Sequence, residues 1–250
     1  MTLFNPEVLK NGQVRERRER ALNILTAALE AVDPVQAIKR QMSLSGETLR
    51  IGQRTYDLTR YRCIYVIGGG KAGGSMAQAI EEMLGQRVTA GLVNVKYGYG
   101  AETQIIRLNE AGHPIPDAAG MAGTKQMAEL ARQATDEDLV LCLISGGGSA
   151  LMTLPVEGIT LANMKSLTDA LLRCGATINE INAVRKHLSQ IKGGHLARLA
   201  YPAEIVSLIL SDVVGNPLDV IASGLTVPDT STFADAYGVI EKYGLPEELP

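Results

Sequence analysis

The sequence predicts an α/β fold, with a mostly parallel β-sheet covered by helices on both faces. Three observations carry this expectation. The apolar runs at 63–67, 139–144 and 204–210 are continuous and not period-2, the pattern of strands buried on both faces. They alternate with segments of helical periodicity, the βαβα order that builds parallel sheets. Glycine-rich turns, Gly68-Gly69-Gly70-Lys71 and Ser145-Gly146-Gly147-Gly148-Ser149, come directly after the first two runs. In such sheets ligands bind outside the carboxyl ends of the strands. The loops at 68–71, 145–149 and 211–217 are therefore expected along one edge of the molecule.

In order along the chain, Leu22, Leu25, Leu29 and Val32 recur at helical spacing, which predicts an amphipathic helix over 14–32 laid on a core. Asp33-Pro34 reads as an N-cap with proline at the first helical position, opening a helix to about Gln41. Residues 48–57 alternate around Gly52-Gln53 and predict a small hairpin. The strand at 63–67 leads through Gly68–Lys71 into a helix over 72–84, which Gly85 ends. Strands are expected at 88–95 and 105–108. Two prolines in Gly112-His113-Pro114-Ile115-Pro116-Asp117 exclude regular structure there, and Asp117 can cap a helix to about Ala134. After the strand at 139–144, Thr160 caps a helix through Cys174 and a second helix spans 177–188. A break at Lys192-Gly193-Gly194-His195 precedes a helical stretch at 196–200, the strand at 204–210, a polar loop at 213–232 and a helix from Phe233.

The bulk composition narrows the function. The 250 residues, 46% of them hydrophobic, can bury a sizeable core, in one large domain or two small ones. A net charge of −3 and scattered basic residues argue against a nucleic-acid or membrane-surface partner. The one basic cluster, Arg15, Arg17, Arg18 and Arg20, interleaves with Glu16 and Glu19 and reads as a solvated helix face. No run is apolar enough to span a bilayer, and no signal peptide is visible. Cys63, Cys142 and Cys174 have neither metal spacing nor an even count, which fits a reducing cytoplasm.

Gly68, Gly70 and Gly73 satisfy the dinucleotide pattern G-x-G-x-x-G, but the next strand end, Val93-Asn94-Val95-Lys96, lacks the acidic residue such a site needs. A Walker A loop also fails, because Ala72 comes after Gly70-Lys71 and Tyr65 stands where the upstream glycine belongs. What remains is a glycine turn with a lysine at a helix N-terminus, a place for a cation only when an anion shares it. Ser145–Ser149 offers backbone N–H groups and two hydroxyls to phosphate oxygens. His113 is balanced between a catalytic and a loop role, and His187 and His195 read as packing residues. Arg185, Lys186 and Lys192 place cations on one helix and its exit, as an anion site or an ordinary basic face. Asp212, directly after an apolar strand, is the best candidate for magnesium or base chemistry. Asp219 and Asp229 are weaker ones.

Six motifs in order then resemble one family. They are Val66-Ile67-Gly68-Gly69-Gly70-Lys71-Ala72, Gly112-His113-Pro114-Ile115-Pro116-Asp117, Ser145-Gly146-Gly147-Gly148-Ser149-Ala150, the stretch Asn182-Ala183-Val184-Arg185-Lys186-His187-Leu188-Ser189, Lys192-Gly193-Gly194, and Ser211-Asp212-Val213 with Ile221-Ala222-Ser223-Gly224 and Val227-Pro228-Asp229. Together they look like the glycerate 2-kinases, some of which carry the label hydroxypyruvate reductase. The resemblance implies a three-layer, Rossmann-like α/β domain with N-terminal helices packed on it. It also implies ATP and magnesium as cofactors, D-glycerate as acceptor and 2-phosphoglycerate as product. The family's C-terminal MOFRL domain is absent, so residues 1–250 are expected to be the N-terminal domain, with part of the cleft supplied from beyond Pro250; a homodimer is left open.

On this resemblance Lys71 meets the transferred phosphoryl group or the substrate carboxylate. Gly68, Gly69, Gly70 and the Ser145, Gly146, Gly147, Gly148, Ser149 loop hold phosphate. Arg185 and Lys192 add positive charge, and Asp212, with Asp219, holds magnesium or takes the hydroxyl proton. Val213-Val214-Gly215-Asn216 departs from the expected Val-Pro-Gly-Asp, removing a carboxylate, and Ser223-Gly224-Leu225-Thr226 departs from Ser-Gly-Pro-Thr. The alternatives are an NAD(P)H-dependent hydroxypyruvate reductase and a non-catalytic phosphosugar-binding module.

Overall fold

The computed structural model describes residues 15–245. The chain enters through α1 (Arg15–Ala31) and α2 (Pro34–Gln41), then forms an antiparallel meander of β1 (Met42–Ser45), β2 (Thr48–Ile51) and β3 (Arg54–Asp57). The Asp33 side chain accepts from Gln36 N at 2.9 Å, capping α2 as expected. The hairpin around Gly52-Gln53 is β2–β3, with Thr48 opposite Asp57. Strand β1 carried no alternation strong enough to read from sequence, and only Met42 in it is fully buried.

The packing expected of the first helix is not found. Helix α1 forms, but none of its described residues is buried, and Ile24 is 71% exposed. Leu25, Leu29 and, just beyond the helix, Val32 are exposed as well. The helix precedes the Asp33-Pro34 break, and Arg40 donates to the Ala31 carbonyl at 2.8 Å, tying its last turn to α2. Surface pairs Arg15–Glu19 and Arg20–Glu16 add about 0.3–0.5 kcal/mol each at most. Val14 and residues 246–250 lie outside the described residues.

The main sheet is parallel, in the order β6-β5-β4-β7-β8, from β4 (Cys63–Gly69), β5 (Ala90–Lys96), β6 (Ile106–Ala111), β7 (Asp138–Ser145) and β8 (Glu204–Leu210). Adjacent residues of each strand feed opposite cores, as the pleat requires. Val66 and Leu141 pack with Leu49, Tyr56 and Ile80, under α2, the meander and α3 (Gly73–Leu84). Ile67, Val140 and Cys142 pack with Met127 and Leu196, under α4 (Ala118–Gln133) and α8 (His195–Ala200). The expected three layers are therefore present, with α2 but not α1 packed against them.

The chain grows from β4 outward to β6, then returns to start β7 on the other side of β4. That reversal opens a crevice at the carboxyl ends of β4 and β7. After β7 the expected loop turns at once into a short helix, α5 (Gly148–Leu151). Above this edge, α6 (Leu161–Arg173), α7 (Ile178–His187) and α9 (Phe233–Lys242) share a third core of Leu167, Leu171, Ile181, Val184, Ala236 and Val239. Thr160, Thr177 and Thr232 each open their helix with a capping box. Among the described residues no helix is long and apolar enough to cross a membrane.

Candidate active site

Register builds the site. Gly69 pairs with Ile144, and Ser145 pairs with Leu210. The segments that leave these strands, Gly70-Lys71, Gly146–Ser149 and Ser211-Asp212, therefore emerge side by side, and the three loops share one edge as expected. Lys71 N donates to Gly146 O at 2.8 Å, and Ala72 N donates to Ser145 Oγ at 3.1 Å. Gly70 has φ +149°, and a Cβ there would strike Ser145 Oγ. A Cβ on Gly146 would overlap the Asp212 carboxylate. Glycine is required at Gly70 by its backbone, and at Gly146 it leaves room for the Asp212 carboxylate against the loop. Gly68 and Gly69 are different: they lie inside β4, buried in the ladder, and shape the turn from within the sheet.

Lys71 Nζ stands 3.7 Å from Asp212 Oδ2, with side chains 41% and 59% exposed. A pair that open contributes about 0–1 kcal/mol, so either partner can leave it for a ligand. His113 lies against Gly147 on the same wall. Burial lowers its pKa below the usual imidazole value, and the nearby Lys71 and Lys96 push the same way against Asp212. The ring is therefore neutral at pH 7.

The opposite wall is buried and cationic. Lys192 is 1% exposed; its ammonium donates to Ser149 O at 2.8 Å, Met152 O at 2.9 Å and Ser149 Oγ at 3.3 Å. Its three protons are thus taken, and its first role is to pin the serine–glycine loop. Burial, then the neighbouring Arg185 charge, pushes its pKa well below the usual lysine value. Arg185 donates one Nη to Ser149 O at 3.3 Å, while its Nε is buried without a partner. Asn182 is 4% exposed, and its Nδ2 is also unpartnered. Its Oδ1 accepts from Ser223 Oγ at 3.1 Å, and Ser223 Oγ meets Ser149 Oγ at 2.9 Å. Ala222 and Ser223 hold φ of +50° and +60°, a conformation costing non-glycine residues about 1–3 kcal/mol each.

Between the walls lies a cleft of about 830 Å³, roofed by Met164, Leu172 and Ile178 of the upper helices and their flanks. That volume suits a small-molecule site with an apolar body and a few polar anchors. Ser145, Gly146, Gly147, Gly148, Ser149, Arg185, Lys192 and Asp212 all line it. Lys71 and Gly68, Gly69 and Gly70 are not among its lining residues, and neither is Asp219, whose carboxylate is 3.8 Å from Lys186 Nζ, which Asp229 also engages at 3.2 Å. Adjacent residues Arg185 and Lys186 thus serve different surroundings, one without a carboxylate among the described residues, the other with two. Sequence reasoning gave no role to Asn182 or Ser223, although both stood inside quoted motifs; neutral polar residues advertise a site only once their burial is known. Asn94, at the end of β5 where a dinucleotide site needs an acid, is wholly buried, its amide directed at Gly120 O, Leu151 O and Thr124 Oγ1.

Comparison with known proteins places this geometry. A family model described as "Domain of unknown function (DUF4147)" matches residues 20–250. A glycerate 2-kinase of Pyrococcus horikoshii is 45% identical over 93% of this chain and 52% of its own length. A D-glycerate 2-kinase of Thermotoga maritima is 44% identical over 97% of this chain and 53% of its own. A crystal structure of a Pyrococcus horikoshii protein superposes with a TM-score of 0.87 at 44% identity, over 93% of this chain and 52% of that one. The chain spans about half the length of the curated relatives it matches.

Proposed function

The chain belongs to the DUF4147 family, and from that premise we propose that the protein is a glycerate 2-kinase, transferring the γ-phosphate of ATP to the 2-hydroxyl of D-glycerate. One observation supports this above the rest: a glycine cradle, Asp212 with its open Lys71 pair, a buried Lys192 and a half-buried Arg185 come together around one cleft at the switch point of the sheet, lined by all of them but Lys71.

Phosphoryl transfer asks mainly for positioning and charge neutralisation. On this reading the Gly146–Ser149 backbone and hydroxyls cradle the phosphates, held in place by Lys192. Lys71 leaves Asp212 to meet the transferred group. The acceptor oxygen bonds to the γ-phosphorus as the bond to the bridging oxygen of ADP breaks. The hydroxyl proton has two acceptors on the same wall, the Asp212 carboxylate and the neutral His113 imidazole. Asp212 fits magnesium, being a hard oxygen donor, loosely paired and beside the phosphate cradle; such ions take one or two carboxylates plus phosphate and water. Bound there, the ion would neutralise phosphate charge. Asp219 is held by Lys186, so Asp212 carries the metal reading. In the whole protein the reading includes a MOFRL domain facing the cleft, and a cytoplasmic site of action consistent with three free thiols.

The discriminating experiment offers the full chain ATP with D-glycerate, and separately NADH with hydroxypyruvate. ADP release that depends on D-glycerate is the expected result. Oxidation of NADH without ATP turnover would overturn the reading in favour of a reductase, and ligand binding without either reaction in favour of a binding module.

A further inference from the structure

Resting on the kinase reading, we propose that Arg185, assisted by Asn182, is the receptor for the carboxylate of the acceptor, so that the site selects 2-hydroxy acids over neutral polyols. The cleft's second wall holds two cations, a buried Lys192 and a half-buried Arg185 whose Nε is fully enclosed; both reach Ser149 O, and neither has a carboxylate partner among the described residues. Buried charge of one sign without a counter-charge is unfavourable unless a ligand supplies it. The ligand is therefore anionic.

Which anion depends on what each group has left to give. Lys192 has committed its three protons to Ser149 and Met152. Arg185 has committed one Nη proton, to Ser149 O, and keeps an orphaned Nε–H on the edge it shares with that same Nη, which still carries a second proton. Nε and an Nη of one guanidinium form the flat fork that matches the two oxygens of a carboxylate. Three residues earlier on α7, one turn away, the Asn182 amide is orphaned as well. Ser149 joins Arg185 to the phosphate cradle, whose Gly146 touches Asp212, so a 2-hydroxy acid gripped by its carboxylate at Arg185 keeps its hydroxyl, one carbon away, in the same cleft as the transferring group. The cleft beside Arg185 includes Ile181 and Leu172, which give a neutral polyol nothing in place of the lost ion pair.

The test uses the full chain and separates acceptor from donor. With wild-type protein, D-glycerate should bind by calorimetry without ATP, while glycerol and D-glyceramide, which keep the hydroxyl but lose the charge, should bind at least about 100-fold more weakly, because a site built for a partner leaves its own polar groups unpaired without it. Arg185→Gln should raise KM for D-glycerate about 100-fold with KM for ATP changed less than about 3-fold, and should narrow the preference for glycerate over glycerol. Arg185→Lys, which keeps the charge and loses the fork, guards against misfolding and should fall between the two. Equal binding of glycerate and glyceramide, or a rise in KM confined to ATP, would overturn the proposal. Wild-type protein that binds glycerate selectively yet turns over no ATP would defeat the kinase reading and leave the carboxylate receptor standing.

Discussion

Gly146→Ala should separate catalysis from stability. Its φ is not in the left-handed region, so alanine is tolerated by the backbone. The added Cβ overlaps only the Asp212 carboxylate, the end of a flexible side chain that is 59% exposed and free to swing outward. Loss of the Lys71 pair costs about 0–1 kcal/mol, and loss of glycine's freedom in the unfolded chain returns about 0.4–1 kcal/mol. The net lies within about 1 kcal/mol, which moves Tm by no more than about 4 °C in a domain of this size. The displaced carboxylate, by contrast, no longer stands beside the phosphate cradle. Removal of one preorganised charge of this kind slows turnover by about 10²–10³. Scanning fluorimetry and ATP–D-glycerate turnover on the same preparation read both quantities. Turnover within about 3-fold of wild type refutes the placement of Asp212, and a Tm drop above about 10 °C refutes the claim that only a side chain has to move. Gly70→Ala is the internal contrast, since positive φ and the Ser145 backbone leave no such escape, and it should lose both stability and activity.

Lys71→Ala in the full chain should lower kcat by about 10² or more with Tm nearly unchanged, since its ion pair with Asp212 is solvent-open; near-normal turnover removes it from the mechanism. Lys192→Met leaves the buried Met152 carbonyl without its side-chain donor and Ser149 O with Arg185 alone, and a urea midpoint should report about 2 kcal/mol of lost stability, an unchanged midpoint being the contrary result. The Glu180 carboxyl is held down to about 2, first by Lys242, then by Thr177 and Tyr243. Its folded pKa lies below its unfolded one, so its contribution is present above about pH 4.5 and is lost as pH falls toward 2. Glu180→Gln should therefore lower Tm at pH 7, and the gap from wild type should close between pH 4.5 and 2; a gap independent of pH would rule out the charged contact.

The sheet was legible because burial on both faces leaves an unbroken apolar run, and β7, buried at every position, is the clearest of them. The shared edge came from parallel strands alone. Lys71, Asp212 and the serine–glycine loop were legible because each departs from what a plain connector needs. Three features were not. The short β1 pairs through its backbone, which sequence patterns do not report. The apolar stripe of α1 was readable, but sequence does not say what covers a stripe, and no neighbour in residues 15–245 buries it. The separate fates of Arg185 and Lys186 depend on a turn of 100° between successive helix positions and on which carboxylates arrive from 219 and 229.

That last divergence explains how the site can hold charge without collapsing onto itself. Lys186 has two carboxylates and needs no ligand; Asp229 in turn accepts from Ser231 and belongs to the packing of α9 against α7. Arg185, one residue away, faces a wall whose other members are a spent lysine, an orphaned amide and two serines bonded to each other. Had an acid stood on that wall, the guanidinium would be neutralised in the empty site, and an incoming anion would have to displace it. Keeping the acids on the far side of α7, and placing Asp212 with Lys71, leaves the half-buried Arg185 without a counter-charge among the described residues, as the proposed carboxylate receptor requires. The strained Ala222-Ser223 turn serves the same end, since Ser223 occupies Asn182 Oδ1 and leaves only its donor side available to a ligand. The chain thus stores folding stability elsewhere and reserves its unpaired donors for the cleft, which is the arrangement expected of a site that gains its binding energy from an anion.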